Sequence, residues 1–198
     1  MTGWRSRCLL MAIILPIVGC GRDGPIADLL GRDRTPHEAY AEALRSAGLD
    51  STALGRDWLV AADSALRAAH ATTLPMMEVG TYTREDARAI AHRVELNEGQ
   101  RLLVTVQTEG IPARIFVDLF AVTADTTEPF APVAFALPDS ASPTVTLSYE
   151  AREPAQFVVR YIPNCYVMVA IPSPCSVIPQ WPFRWRVTAT VRSRVDLG

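Results

Sequence analysis

Phe183-Arg184-Trp185-Arg186-Val187-Thr188-Ala189-Thr190-Val191-Arg192 alternates residue by residue between apolar and polar side chains. Successive side chains on a strand point to opposite sides, so Phe183, Trp185, Val187, Ala189 and Val191 share one face. The segment 183–194 is therefore expected to be a strand with one face in a core and an arginine-threonine face in solvent. The same grammar runs back to residue 87. Ile90, Val94 and Leu96 share a face of segment 87–96, Asn97-Glu98-Gly99 turns the chain, and Leu102, Val104 and Val106 face one way within 101–108. Further strands are expected at 114–122, 132–137, 144–150, 156–162 and 166–171. Helical patterns do not interrupt them, which argues for a mainly β protein: an antiparallel, jelly-roll-like β-sandwich over residues 80–195. Pro163, Pro172, Pro174, Pro179 and Pro182 cannot donate to a central ladder, so they mark loops and edges.

A different grammar precedes the strands. In Thr35-Pro36-His37-Glu38 the threonine can cap a helix, the proline sits where a missing N–H costs nothing, and Glu38 can complete a capping box. Ala39, Ala43, Leu44 and Ala47 supply an apolar stripe, and Gly48 is a plausible C-cap. Asp50 or Ser51 is expected to cap a second helix, in which Leu54, Trp58, Ala61, Ala62, Ala65, Leu66 and Ala69 recur at helical spacing. Residues 35–72 are thus expected to form a short helical hairpin ahead of the sandwich. Residues 20–34, rich in Gly, Asp and Arg, read as a tether.

At the N-terminus, Arg5 and Arg7 precede an apolar run, 8–18, broken by Pro16, and the run ends at Ile17-Val18-Gly19-Cys20. Charge, a short apolar core and a small residue at the cut make a secretory signal over residues 1–19, too short for a span of roughly 20 residues. With Cys directly after the cut, the segment resembles a bacterial lipoprotein lipobox. The resemblance implies that Cys20 is lipidated and holds the chain to a membrane of the envelope. Gly21 lacks the acidic retention signal of inner-membrane lipoproteins, so the outer membrane is favoured over the inner.

Of the 198 residues, 19 are basic and 21 acidic; Arg5 and Arg7 leave with the signal, so the mature chain holds 17 basic residues and is formally −4. Such a balance gives no field to attract nucleic acid. All the basic residues are Arg, which excludes lysine Schiff bases and the phosphate-loop lysine. Cys8 leaves with the signal, so Cys165 and Cys175 remain as an even pair in the oxidising periplasm, and a disulfide between them is expected. The rival, a metal site, would need ligands nearby, and no His follows His92. Neither a metal nor a cofactor is expected.

Segment 96–100 (Leu96-Asn97-Glu98-Gly99-Gln100), the apolar runs RLLVTVQT (101–108) and RIFVDLFAV (114–122), then Leu147-Ser148-Tyr149-Glu150-Ala151 and Phe157-Val158-Val159-Arg160 follow one order. That order resembles the bacterial pre-peptidase C-terminal β-sandwich, a non-catalytic module that accompanies secreted peptidases. Arg34-Thr35-Pro36-His37-Glu38-Ala39-Tyr40, Gly48-Leu49-Asp50 and Asp57-Trp58-Leu59 are similar to the N-terminal region of some lysostaphin-like peptidoglycan peptidases. Those enzymes bind zinc through a His and an Asp in one motif and a His-x-His in another. This sequence has His37, His70 and His92 and no His-x-His, so the resemblance implies the accessory portion with the peptidase domain absent.

No Gly-x-Ser-x-Gly elbow, His-Glu-x-x-His pair or glycine-rich phosphate loop occurs. His37, in the first turn of a capped helix, is expected to be exposed. His70 falls near a helix C-terminus, and His92 shares a strand face with Ile90 and Val94. Asp118 shares its face with Phe116 and Phe120, where a structural hydrogen bond or an edge-guarding charge is expected. The charged turn at Glu150, Arg152 and Glu153 reads as solvated. Segment 172–185 (PSPCSVIPQWPFRW) combines a cysteine, four prolines and two tryptophans, the best candidate recognition surface. There Trp181 would be an aromatic platform with Arg184 and Arg186 beside it; the alternative is that Trp181 and Trp185 cap the core. The expected function is a non-catalytic envelope lipoprotein that binds cell-wall glycan (peptidoglycan) or an envelope protein partner. The alternative is a divergent cell-wall hydrolase or an inactive remnant of a peptidoglycan metallopeptidase, which would need Asp118, His92 or Asp86 to cluster.

Overall fold

The computed structural model describes residues 35–83, 88–109, 115–136, 142–163 and 182–193. The expected signal and tether with Cys20, the strand expected at 166–171, Cys165, Cys175, Trp181 and Asp86 lie outside them. All described residues belong to one compact unit. Helices α1 (Pro36–Ser46) and α2 (Ala53–Arg67) lead into nine strands among the described residues: β1 (His70–Ala71), β2 (Met76–Tyr82), β3 (Ile90–Leu96), β4 (Arg101–Thr108), β5 (Ile115–Val122), β6 (Phe130–Ala136), β7 (Thr144–Glu150), β8 (Ala155–Pro163) and β9 (Phe183–Arg192).

The strands form two sheets, ordered β1-β3-β8-β5-β6 and β2-β9-β4-β7. From β2 onward the chain changes sheet at every step except the antiparallel pair β5–β6. All pairings are antiparallel but the short parallel β1–β3 contact. This is the jelly-roll form of a β-sandwich, as the alternation implied. Its interior is filled by the period-2 residues. Leu102, Val104 and Val106 of β4 and Val187 of β9 face Val117 and Leu119 of β5 and Val159 of β8, all buried. Between β3 and β4 the chain turns at Gly99, whose φ of 74° is a left-handed conformation that glycine adopts without a Cβ penalty.

Both sides of the central strands β5 and β8 are buried. Ile115, Val117 and Leu119 point into the sandwich, while Phe116, Asp118 and Phe120 point the other way, beneath the helices. Trp58 of α2, 1% exposed, packs on Phe116, and its indole N–H donates to the Pro163 carbonyl at 2.8 Å. An aromatic side chain of this size removes on the order of 200 Å² from water. The capping box forms as expected: the Thr35 hydroxyl accepts from the Glu38 N–H, and Glu38 accepts from the Thr35 N–H.

Three helical expectations need correction. The buried stripe of α1 is His37, Ala41 and Leu44, whereas Ala43 and Ala47 are exposed. Alanine buries too little area to orient a helix, and the larger His37 and Leu44 decide it. His37 is therefore buried, not exposed. The second helix is capped by Thr52, whose side chain accepts from the Gly55 N–H, because Asp50 and Ser51 are taken up in a 3-10 turn. His70, near the C-terminus of α2 as expected, lies in β1, paired with β3.

Strand β2 was not expected, and its pattern explains why. Its exposed side carries Met77 and Val79, while Glu78 and Gly80 alternate with them toward the interior. Over residues 77–80 polar-in and apolar-out is the inverse of the usual signal, with Met76 and Tyr82 facing in at the two ends. Each inward residue has a reason. Glu78 meets His92, and Gly80 lies opposite Trp185, whose indole occupies the space a Cβ would need. Gly80→Ala is accordingly expected to lower stability by about 1–3 kcal/mol, the usual size of an overpacking defect. Urea unfolding followed by tryptophan fluorescence reads it, and an unchanged midpoint would contradict the close approach.

Candidate functional site

The two outer faces of the sandwich differ. On the five-stranded sheet the helices cover a buried polar cluster. Asp118 and Arg160 stand opposite each other on β5 and β8, and the Arg160 Nη2 donates to Asp118 Oδ2 at 2.8 Å. The same nitrogen lies 3.0 Å from His37 Nδ1, Nη1 donates to the Ala62 carbonyl at 3.4 Å, and the guanidinium sits 4.8 Å above the Phe120 ring. Asp118 is thus neither unpartnered nor an edge charge: β5 lies between β8 and β6. The partner was hidden because Arg160 is 42 residues away in sequence. Burial pushes the Asp118 carboxyl up against the pull of Arg160, and burial together with Arg160 and Arg45 holds His37 down at about 3. A neutral His37 offers its Nδ1 lone pair to Arg160. This arrangement ties α1, α2 and the sheet together; it exposes no polar atom to a substrate.

His92 is on the other side of the same sheet, facing the sandwich interior. Its Nε2 lies 2.8 Å from Glu78 Oε2 across the gap to β2, and its Nδ1 lies 3.1 Å from Thr72 Oγ1. Burial lowers its pKa despite the carboxylate. Asp118 and His92 therefore stand on opposite faces of one sheet and do not come together as an acid-base pair. Among the described residues no three His, Cys, Asp or Glu side chains are placed to hold a metal ion.

The outer face of the four-stranded sheet has no helix packed on it among the described residues. Arg184 and Arg186 of the expected recognition surface project there from β9, both exposed, while Trp185 between them is buried and stacks with Tyr82 at 5.5 Å. Trp185 thus takes the core role. Arg184 is 3.6 Å from Glu109; Arg186 has no carboxylate partner among the described residues. Next to them on β2 are Met77 and Val79, 69% and 47% exposed, with Val79 directly opposite Arg186. The apolar flank was missed because an outward-facing Met and Val look like core in sequence. Its signal was Gly80 beside Glu78, an inward pair too small and too polar to be the buried face.

The described residues define a jelly-roll β-sandwich domain with helices packed on one sheet and none of them on the other. No protein-family model matches the chain, and no curated protein matches it. Solved structures similar to it include the pre-peptidase C-terminal domain of a collagenase from Bacillus anthracis (10% identity, TM-score 0.42, covering 63% of this chain and 94% of that one). PliG of Aeromonas hydrophila, a periplasmic inhibitor of g-type lysozyme, is similar at 10% identity and TM-score 0.40, covering 63% and 96%. CorA, a surface-associated copper-binding protein of Methylomicrobium album BG8, is similar at 9% identity and TM-score 0.41, covering 63% and 98%.

Proposed function

We propose that this chain is a non-catalytic lipoprotein of the bacterial envelope, anchored by lipid on Cys20, whose sandwich binds cell-wall glycan or an envelope protein through the bare face of the four-stranded sheet. The observation that carries the reading is the asymmetry of the two faces. Arg160 and Asp118, the charges buried beneath the helices, are consumed internally, whereas Arg186, Met77 and Val79 are turned to solvent together. Basic and apolar groups side by side suit a surface that docks rather than one that reacts. The 5–20 segment supports export and anchoring; outer-membrane placement rests on Gly21. Two or three acyl chains would hold the protein to the bilayer stably.

Fractionation and sedimentation test the two halves. Cys20→Ser is expected to leave the membrane fraction, and undiminished acyl labelling of that variant would contradict the anchor. The full chain in detergent is expected to co-sediment saturably with purified sacculi. Arg184→Ser/Arg186→Ser should weaken this about tenfold or more, the worth of one or two hydrogen bonds to charged groups. Unchanged binding by the double variant would take the site away from this face.

A further inference from the structure

The bare sheet carries more specific information along β9. Its outward row is Arg184, Arg186, Thr188, Thr190 and Arg192: two arginines at one end, one at the other, hydroxyls between. Arg186 and Arg192 are about 20 Å apart at strand spacing. Arg192 stands directly opposite Arg101 of β4, a like-charge pairing that ordinarily destabilises a sheet. Only Arg101 of that pair has a carboxylate neighbour among the described residues, Glu150 at 3.1 Å. Thr188 pairs with Thr105, which pairs with Thr146, so the floor between the charged ends is a row of hydroxyls across three strands. The described outward side chains of this sheet hold four arginines against two glutamates, Glu109 and Glu150, on a chain of formal charge −2.

We propose that this face takes an anionic polysaccharide laid along β9, its carboxylate or phosphate groups on Arg101/Arg192 and on Arg184/Arg186 and its hydroxyls on the threonine row. The inference rests on the binding reading above and names the ligand class for the same face. Guanidiniums hold carboxylates and phosphates through paired N–H donors, and exposed hydroxyls exchange hydrogen bonds with sugar hydroxyls. An anion that bridges Arg101 and Arg192 relieves their like-charge pairing, which Glu150 offsets on the Arg101 side alone. A peptide strand fits less well, because β9 lies between β2 and β4 and its backbone is already paired on both sides.

Affinity electrophoresis of the full chain in detergent micelles tests this with polygalacturonate, dextran and polyglutamate as probes. Retardation by polygalacturonate is expected and none by neutral dextran, with the effect weakening as salt rises. Arg186→Gln and Arg192→Gln should each weaken it about tenfold, while Arg56→Gln, exposed on α2, leaves it unchanged. Both β9 arginines are exposed, so the variants keep the core. Equal retardation by dextran, or stronger retardation by polyglutamate, overturns the ligand class. Binding to sacculi without any to polygalacturonate overturns the anionic inference alone, and binding to neither removes the wall-binding reading with it.

Discussion

Arg160→Met lowers the free energy of unfolding by about 3–5 kcal/mol, the cost of leaving a buried charge without its partner. Asp118 is 1% exposed and Arg160 2%. No described group other than Arg160 hydrogen-bonds the Asp118 carboxylate. Without the guanidinium, the Asp118 carboxyl must take up a proton or remain a bare anion beneath the helices, and the Ala62 carbonyl and His37 Nδ1 lose a donor as well. Asp118→Leu/Arg160→Met should recover most of the loss, since well-packed apolar pairs often replace buried ion pairs at little cost. Urea denaturation of the two variants reads both effects. A single variant within about 1 kcal/mol of the parent, against the penalty expected for an unpaired buried charge, would show that the pair does not hold the sheet as described.

The second large effect is acid sensitivity through His37. The unfolded chain takes a proton there near pH 6.5, the folded chain at about 3. Between those values the unfolded form binds more protons, so stability falls as pH falls, by about 1.4 kcal/mol per pH unit at the steepest. Above pH 6.5 both forms are neutral and the contribution is complete. The charged groups around the imidazole are Arg160 and Arg45, which oppose a second positive charge, and Asp118 behind Arg160. His37→Asn keeps an acceptor for Arg160 but cannot titrate. Its stability should fall less steeply than the parent's between pH 6.5 and 4. Parallel pH profiles for parent and variant would contradict a buried neutral His37.

The strands were largely legible because their burial is one-sided. In β9 every second side chain is core, and period 2 suffices to place both faces. In β4 the same rule holds. It failed at β2, where Glu78 points in to reach His92 and Gly80 points in to make room for Trp185. Those inward choices answer to partners 14 and 105 residues away, which a local pattern cannot register. His37 departs from expectation for the same reason: the alanines of α1 mark a stripe, but His37 and Leu44 orient the helix, and the partner of His37 is Arg160 on a distant strand. Arg184 and Arg186 were read correctly as an outward pair, since alternation around Trp185 leaves them no other side. The Arg101/Arg192 pairing required the register of β4 on β9 and had no sequence signal.

The central claim is that the bare sheet, not the helices, is the docking surface. Photo-crosslinking in living cells tests it most directly, with a benzophenone side chain placed at Val79 or Thr188 on that sheet, or at Arg56 or Val60 on α2. All four positions are solvent-accessible, Val60 at 62%. The account predicts covalent capture of wall material or a discrete partner from Val79 and Thr188, with little from the helix. Capture from Arg56 and Val60 with none from the sheet would place the docking surface on the helices and contradict it.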